Sequence, residues 1–174
     1  RPARTGPSGV FVPLDEQDRS LWNHSQILQG AEITKSALAM GCVGPYQIQA
    51  AISALHAEAK SYAETDWHQI SLLYGKLYEL NPSPIVQLNG AVALANDAGV
   101  EAGLAILSEL AAQDQLQDYQ PFFAAKADFS LRSGDREGAV SAYKRAIQLS
   151  GNAAERHFFG APHGGGLELT LPRR

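Results

Sequence analysis

Histidine and cysteine are the side chains that most often hold metals or transfer protons, and here their spacing assembles no recognisable site. No two histidines have the His-Glu-x-x-His spacing that places two imidazoles on one helical face for zinc. The single cysteine, Cys42, has no companion thiol. His56-Ala57-Glu58 matches half of a zinc deaminase signature, but the Pro-Cys-x-x-Cys half is absent. The sequence therefore predicts neither a metal nor another cofactor. The five histidines are His24, His56, His68, His157 and His163.

Motifs for nucleophilic catalysis and phosphate binding are also missing from the sequence. There is no Gly-x-Ser-x-Gly elbow, no phosphate loop ending in Gly-Lys-Ser/Thr and no Gly-x-Gly-x-x-Gly. The triplet Gly164-Gly165-Gly166 lacks the flanking pattern of a phosphate loop and is typical of a flexible terminus. We expect no catalytic residues, and hence no enzyme.

Two short clusters place carboxylates beside a tryptophan where a helix is predicted to begin. They are Gln17-Asp18-Arg19 with Trp22, and Glu64-Thr65-Asp66-Trp67. In each, the aspartate can cap the helix and the tryptophan can anchor it against the next hairpin, so a structural role is favoured over ligand contact. Arg19 can pair with Asp66 or Glu64 across the first groove. His56 follows the apolar residue Leu55 and is interpreted as a hydrogen-bonded histidine at the core boundary.

Composition limits the function classes. The chain has 174 residues, 45% hydrophobic and 18% charged, which predicts one folded domain with a sizeable core. A formal net charge of -4 provides no basic excess for a phosphate backbone, so direct nucleic-acid binding is not expected. No apolar run approaches the ~20 residues of a membrane-spanning helix. A lone cysteine fits a reducing cytoplasm.

Apolar spacing predicts an all-α chain of about seven helices. The first is expected to run from Asp15 or Asp18 to about Met40, with Leu21, Leu28, Ala31 and Leu38 on one side. Pro45 suits the first position of the second helix, and Asp66 caps a third that ends before Pro82. The others are expected near 84–97 (carrying Ile85, Leu88, Val92 and Ala95), 100–112, 119–132 and 135–149 (with Val140, Tyr143 and Ile147 inward), with a last turn near 153–159.

An internal repeat is the most informative feature. Asp66 aligns with Val100 and then Asp135, at offsets of 34 and 35 residues. The same alignment places Ile70 on Leu104 and Ala139, Leu73 on Leu107 and Ala142, and Tyr74 on Ser108 and Tyr143. This period is that of the tetratricopeptide helix-turn-helix unit. Such hairpins stack as antiparallel pairs into a right-handed superhelix whose concave side binds a peptide or another domain. The alternative is a compact bundle in which the repeat is only structural.

Ordered motifs along the chain resemble the carboxyl-terminal extension of one class of bacterial extracytoplasmic-function sigma factors. The matches are Gln17–Trp22, Gly44–Ile52 with Ala54–Ala57, Thr65–Trp67, Pro82–Asn89, Ala91–Ala93, Ala102–Leu104 and Gly151–Arg156. The resemblance covers about residues 1 to 159. It implies a tetratricopeptide-like module that follows the two domains which bind core RNA polymerase and the promoter.

The resemblance also implies partners. The expected partners are core RNA polymerase, the sigma-factor domains or a cognate regulator. The candidate contact or anchor residues are Gln17, Asp18, Arg19, Trp22, His56, Asp66, Trp67 and Asn89. Gly90 stands where the family usually has arginine, which removes a contact, and beyond Phe158 a Gly- and Pro-containing tail replaces the family's charged helix.

The sequence thus predicts an entry linker at 1–14, a helical domain at 15–159 and a flexible tail at 160–174. The predicted function is regulatory protein binding in a sigma factor, without catalysis. Two alternatives remain: a small-molecule sensor with its ligand near Trp22, Trp67 and His56, and a stand-alone tetratricopeptide-like adaptor. The sequence does not specify an oligomeric state.

Overall fold

Seven α-helices joined by short loops make up the described part of the chain, which contains no strand. The structure, a computed structural model, describes residues 2–4 and 12–151. The helices are α1 (His24–Ala39), α2 (Pro45–Glu58), α3 (Trp67–Leu80), α4 (Pro84–Asp97), α5 (Val100–Leu110), α6 (Gln120–Arg132) and α7 (Arg136–Leu149). The predicted all-α fold is confirmed. The turn expected near 153–159 and the tail at 160–174 lie outside the described residues.

Side-chain caps fix where several helices begin. Asp66 accepts a hydrogen bond from the Gln69 backbone N–H at 2.9 Å, as predicted for the start of α3. Asp135 does the same for α7, accepting from the Gly138 N–H at 2.9 Å. Pro45 and Pro84 occupy the first positions of α2 and α4, where a missing N–H is tolerated.

The first helix begins later than predicted. Asp18 does not cap α1: it caps a short 3-10 turn (Arg19–Leu21), and Trp22 then has an extended backbone. Asn23 is the true cap and accepts from the Gln26 N–H at 3.1 Å. Of the four residues predicted to share one side of this helix, Leu21 and Leu28 are exposed.

The entry segment at 1–14 is described only in part. Residues 2–4 form a 3-10 turn in which Ala3 is buried. The Val12 N–H donates to the Arg4 carbonyl at 3.0 Å, which ties this turn to the chain that leads into the helices.

Consecutive helices pack against one another, most extensively α3 with α4, α4 with α5, and α6 with α7. Short connections between neighbours that pack side by side make the pairs antiparallel. The aligned repeat positions Ile70, Leu107, Ala139, Ala142 and Tyr143 are buried as the repeat predicts, whereas Ser108 is exposed. On α4, Ile85 is exposed and the neighbouring Val86 is buried instead.

The apolar core is divided into three clusters along the stack. The first joins α2, α3 and α4 around Ile48, Ile70 and Leu77. The second joins α4, α5 and α6 around Leu88, Leu110 and Phe129. A third joins α6 to α7. Because α4 contributes to two clusters, it connects the two halves of the molecule.

Candidate interaction surface

Arg19 connects the amino-terminal segment to the α2–α3 hairpin. The side chain is only 7% exposed. Its Nη1 donates to the backbone carbonyls of His56 and Ala59, both at 2.8 Å, and Nη2 donates to Thr65 Oγ1 at 3.4 Å. Carbonyls at the carboxyl end of a helix have no intrahelical partner and carry partial negative charge, so the end of α2 is a suitable acceptor for a guanidinium.

The predicted ion pair of Arg19 with Asp66 or Glu64 is wrong. The Asp66 carboxylate is used as the cap of α3. Glu64 Oε1 accepts from Ser61 Oγ at 3.2 Å instead. Burial lowers the pKa of Arg19, and the charge of Glu64 offsets part of that effect through space. The buried cation is therefore held mainly by peptide carbonyls.

Aromatic rings surround this anchor. The Arg19 guanidinium lies over the Trp22 ring at 4.9 Å from its centroid, within cation–π distance. The Trp67 ring contacts the His56 ring edge-on, with 5.2 Å between the ring centroids, and its centroid lies 4.9 Å from that of the Tyr62 ring. We call these five residues, Arg19, Trp22, His56, Tyr62 and Trp67, the Arg19 cluster. The structure thus brings together four of the predicted site residues.

His56 is half-buried, and its Nδ1 is enclosed without a hydrogen-bond partner. His56 lies at the boundary of the core as predicted, but its Nδ1 does not make the hydrogen bond that the prediction included. Burial lowers the pKa of His56, and the positive charge of Arg19 lowers it further. The imidazole is consequently favoured in its neutral form.

Tyr62, which was not among the predicted site residues, extends the cluster toward α4 and α6. Burial raises the pKa of Tyr62, as do the nearby carboxylates of Asp15 and Asp128, while Arg132 and a hydrogen bond with Asn96 lower it. The hydrogen bond with Asn96 connects Tyr62 to α4. The apolar spacing predicted Tyr62 on the face of the second helix, four residues beyond the end of α2 at Glu58, so its position in the loop was not predicted.

Arg132 continues this line of contacts between helix pairs. It donates to the Ala95 carbonyl at 2.8 Å and pairs with Asp128 at 3.2 Å. Arg132 therefore connects α6 to α4 through a backbone carbonyl.

The remaining predicted site residues lie apart from these contacts. Gln17 donates through Nε2 to the Val12 carbonyl at 3.0 Å. The Asp18 carboxylate accepts from the Ser20 backbone N–H at 2.9 Å and from Ser20 Oγ at 2.6 Å, and these bonds lower the pKa of Asp18. Asn89 is exposed on α4 and joins no cluster. The hydrogen bonds of Gln17 and Asp18 therefore stabilise the entry turn. Asn89 is available for contact with a partner.

An open groove of about 600 Å³ lies beside the Arg19 cluster, between the start of α1 and the end of α2. Ile27, Leu28 and Ala57 contribute apolar surface, while the polar and charged lining residues are Arg19, Ser20, His24, Glu58 and Lys60. Such a lining can receive an apolar group that carries a polar end.

One Ser/His/Asp grouping occurs outside this region, on α3 and α4. Asp97 Oδ2 contacts His68 Nδ1 at 3.1 Å and accepts from Ser71 Oγ at 3.0 Å. Because the carboxylate stands between the other two, the histidine does not activate the hydroxyl as it would in a catalytic triad. Across residues 2–4 and 12–151, no group of three or more His, Cys, Asp or Glu side chains could hold a metal ion. No helix in the same ranges is long and apolar enough to cross a bilayer.

Comparison with known proteins gives similarity without a function. Residues 1–38 match the profile of a family of unknown function, DUF6596. An uncharacterised protein of Rhizobium meliloti (strain 1021) is 40% identical over 153 residues, which covers 88% of this chain. The chain spans only 36% of that relative's length. No solved structure matches the chain. The DUF6596 match ends inside α1, so it includes Arg19 and Trp22 but neither α2 nor α3.

Proposed function

We propose that this chain is a regulatory, protein-binding domain of an extracytoplasmic-function sigma factor, acting without catalysis and in the cytoplasm. The supporting observation is the ordered stack of antiparallel helix pairs, repeated at 34 to 35 residues, which provides a surface for a macromolecular partner. Two of the motifs that resemble the sigma-factor family have defined structural roles. Gln17–Trp22 forms the entry turn, and Thr65–Trp67 contains the cap of α3 and the tryptophan that anchors it.

The Arg19 cluster supports a role at a junction between domains. It fixes the segment before α1 to the α2–α3 hairpin through three hydrogen bonds and an aromatic contact. A domain attached before this segment would be held in a defined orientation toward the helix stack. Core RNA polymerase, the sigma-factor domains or a cognate regulator are the partners that fit this proposal, and direct nucleic-acid binding is not part of it.

Binding to purified components tests the proposal. The chain would be immobilised and exposed separately to core RNA polymerase and to the polymerase- and promoter-binding domains of a sigma factor that carries this extension. Retention of one of these supports the proposal. Retention of none, under conditions in which the intact sigma factor retains polymerase, contradicts it.

Matched variants locate the contact surface. Asn89→Ala changes an exposed residue of a sigma-factor motif, whereas Gln148→Ala changes an exposed residue of α7 outside those motifs. We expect Asn89→Ala to weaken partner retention and Gln148→Ala to leave it unchanged, with circular dichroism confirming that both variants are folded.

A small-molecule sensor is the second candidate, and the groove beside the Arg19 cluster favours it. Thermal-shift screening of metabolites separates it from the first candidate. A ligand at a hundred times its dissociation constant adds about 2.7 kcal/mol to the free energy of unfolding. A shift that Leu28→Glu abolishes would assign the ligand to this groove, and the absence of any shift argues against a sensor.

A further inference from the structure

Two open cavities meet on the surface of the last described helix pair. The first, of about 420 Å³, lies between α6 and α7, and the second, of about 380 Å³, lies along α7. Both are lined by Ser141, so they form one continuous surface, which we call the α7 groove. Phe123 and the half-buried Val140 contribute apolar area to it. Its cations are Lys126, Arg136, Lys144 and Arg145.

The α7 groove carries an excess of positive charge. Glu137 and Asp118 are its two carboxylates, and Asp118 pairs with Arg145 at 2.6 Å. The other three cations take part in none of the ion pairs in the described part of the chain. The chain just before these cations has the opposite balance, because residues 77–125 contain six carboxylates and no lysine or arginine. A terminal helix needs only polar side chains to stay solvated, so this concentration of cations indicates a negatively charged partner.

The spacing of two of the cations specifies the shape of that partner. Arg136, Val140 and Lys144 are four residues apart and form one row along α7, with the apolar side chain between the two charges. At a rise of about 1.5 Å per residue, Arg136 and Lys144 are separated by about 12 Å along the helix axis. Helices most commonly pack by placing two such rows beside each other. A matching helix therefore has an apolar residue between two carboxylates at the same spacing.

We propose that the α7 groove binds an acidic amphipathic helix of another protein. Carboxylates at positions i and i+8 of that helix pair with Arg136 and Lys144, and an apolar residue at i+4 packs on Val140. Lys126 in the adjoining cavity attracts the same helix through its charge. A nucleic acid fits less well, because Glu137 and Asp118 lie within the groove and repel a continuous row of phosphates.

Fluorescence anisotropy with synthetic helical peptides tests this proposal, and its outcome does not depend on any sigma-factor partner. The probe is an alanine-rich peptide with glutamates at i and i+8 and a leucine at i+4, and its control is a shuffled peptide of the same composition. We expect the probe to bind more tightly than the control and to lose affinity as salt is raised, because ions screen exposed charge pairs. The proposal is overturned if no binding occurs up to about 1 mM peptide, if the two peptides bind equally, or if a single-stranded DNA oligonucleotide binds more tightly than the probe.

Charge reversals on the protein locate the contact. Arg136→Glu and Lys144→Glu should each weaken probe binding about tenfold, because like charges would then face each other. Lys76→Glu is the matched control, since it changes the net charge equally at an exposed lysine of α3, and it should leave the affinity unchanged. Circular dichroism confirms that all three variants are folded. Equal weakening by all three contradicts a contact at the groove. Self-association of the chain that Lys144→Glu abolishes would assign the groove to a second copy and would also overturn the proposal.

Discussion

At the scale of single residues, Arg19 determines how the entry segment meets the helices. Its hydrogen-bond acceptors are two carbonyls and a hydroxyl, and none of the salt bridges in the described part of the chain includes it. Several carbonyl acceptors are satisfied by the planar guanidinium with its multiple N–H donors, and not by positive charge alone. Replacing Arg19 by another cation should therefore lower the stability of the fold.

Arg19→Lys tests that requirement. Lysine keeps the charge, but its ammonium cannot reach the carbonyls of His56 and Ala59 and the Thr65 hydroxyl with the same geometry. We expect a loss of about 1–3 kcal/mol in the free energy of unfolding, because buried acceptors are left unpaired. Urea unfolding at neutral pH measures it. Arg136→Lys, at an exposed site, should stay within about 0.5 kcal/mol, and equal unfolding midpoints for the two variants would refute the role of the guanidinium.

The lowered pKa of His56 predicts that the stability of the fold depends on pH. Its pKa is lowered on folding by burial and by Arg19. Below about pH 6.5, the ordinary pKa of histidine, the unfolded chain binds a proton before the folded chain does. The contribution of His56 is therefore complete above that pH and is lost as the pH falls toward the lowered pKa. We expect His56→Gln to reduce the slope of unfolding free energy between about pH 7 and 5.5. Identical slopes for the wild-type protein and His56→Gln would show that His56 does not titrate as described.

At the scale of helices, close approach of α5 to its neighbours depends on Gly103. A Cβ added there would lie 2.6 Å from Phe129 Cε2 and 2.7 Å from Ala95 Cβ. Gly103→Ala should therefore cost about 1–3 kcal/mol through overpacking. Gly75→Ala, within α3 and surrounded by open space, should instead stabilise by up to about 1 kcal/mol because alanine favours the helix. Thermal unfolding of the two variants shows whether each substitution stabilises or destabilises the fold. Destabilisation by both would contradict this difference in packing.

Helix boundaries could be predicted from the sequence because their signals are local. Asp66, Asp135 and Pro45 each act within four residues of their own position, and α3 to α7 begin and end close to where such signals predicted. The second helix begins at Pro45 as predicted but ends at Glu58, whereas its apolar spacing continued to Tyr62. The start of α1 could not be predicted this way. Two aspartates offered plausible caps, and the choice of Asn23 is associated with a contact of Arg19 to carbonyls some 40 residues away. Backbone acceptors carry no residue-type signal, which is why the sequence favoured a carboxylate partner for Arg19 instead.

The faces of the helices were less predictable than their ends. Ile85 and Leu28 fit the apolar spacing of their helices, yet both are exposed. Periodicity identifies an apolar stripe but not the direction from which a neighbour packs, and at the end of a stack one side has no neighbour at all. Leu28 belongs to α1, which is the first of the seven described helices and packs mainly against α2.

At the scale of the whole molecule, stability should be graded along the stack. Each core cluster joins only neighbouring helices, and α4 belongs to two of them, with Leu88, Ala91 and Ala95 in one and Val86 and Ala93 in the other. By contrast, Ala31 is the only residue that α1 itself buries. In repeat proteins, segments with few buried contacts open before the rest of the structure unfolds.

Hydrogen exchange followed by mass spectrometry should resolve that gradient. We expect amides of α4 to exchange slowest and those of α1 fastest among the seven described helices, because α1 can open while both large core clusters remain intact. Uniform exchange in all seven helices would instead indicate a single cooperative unit, in which Arg19 and Arg132 couple the helix pairs as strongly as the apolar core does.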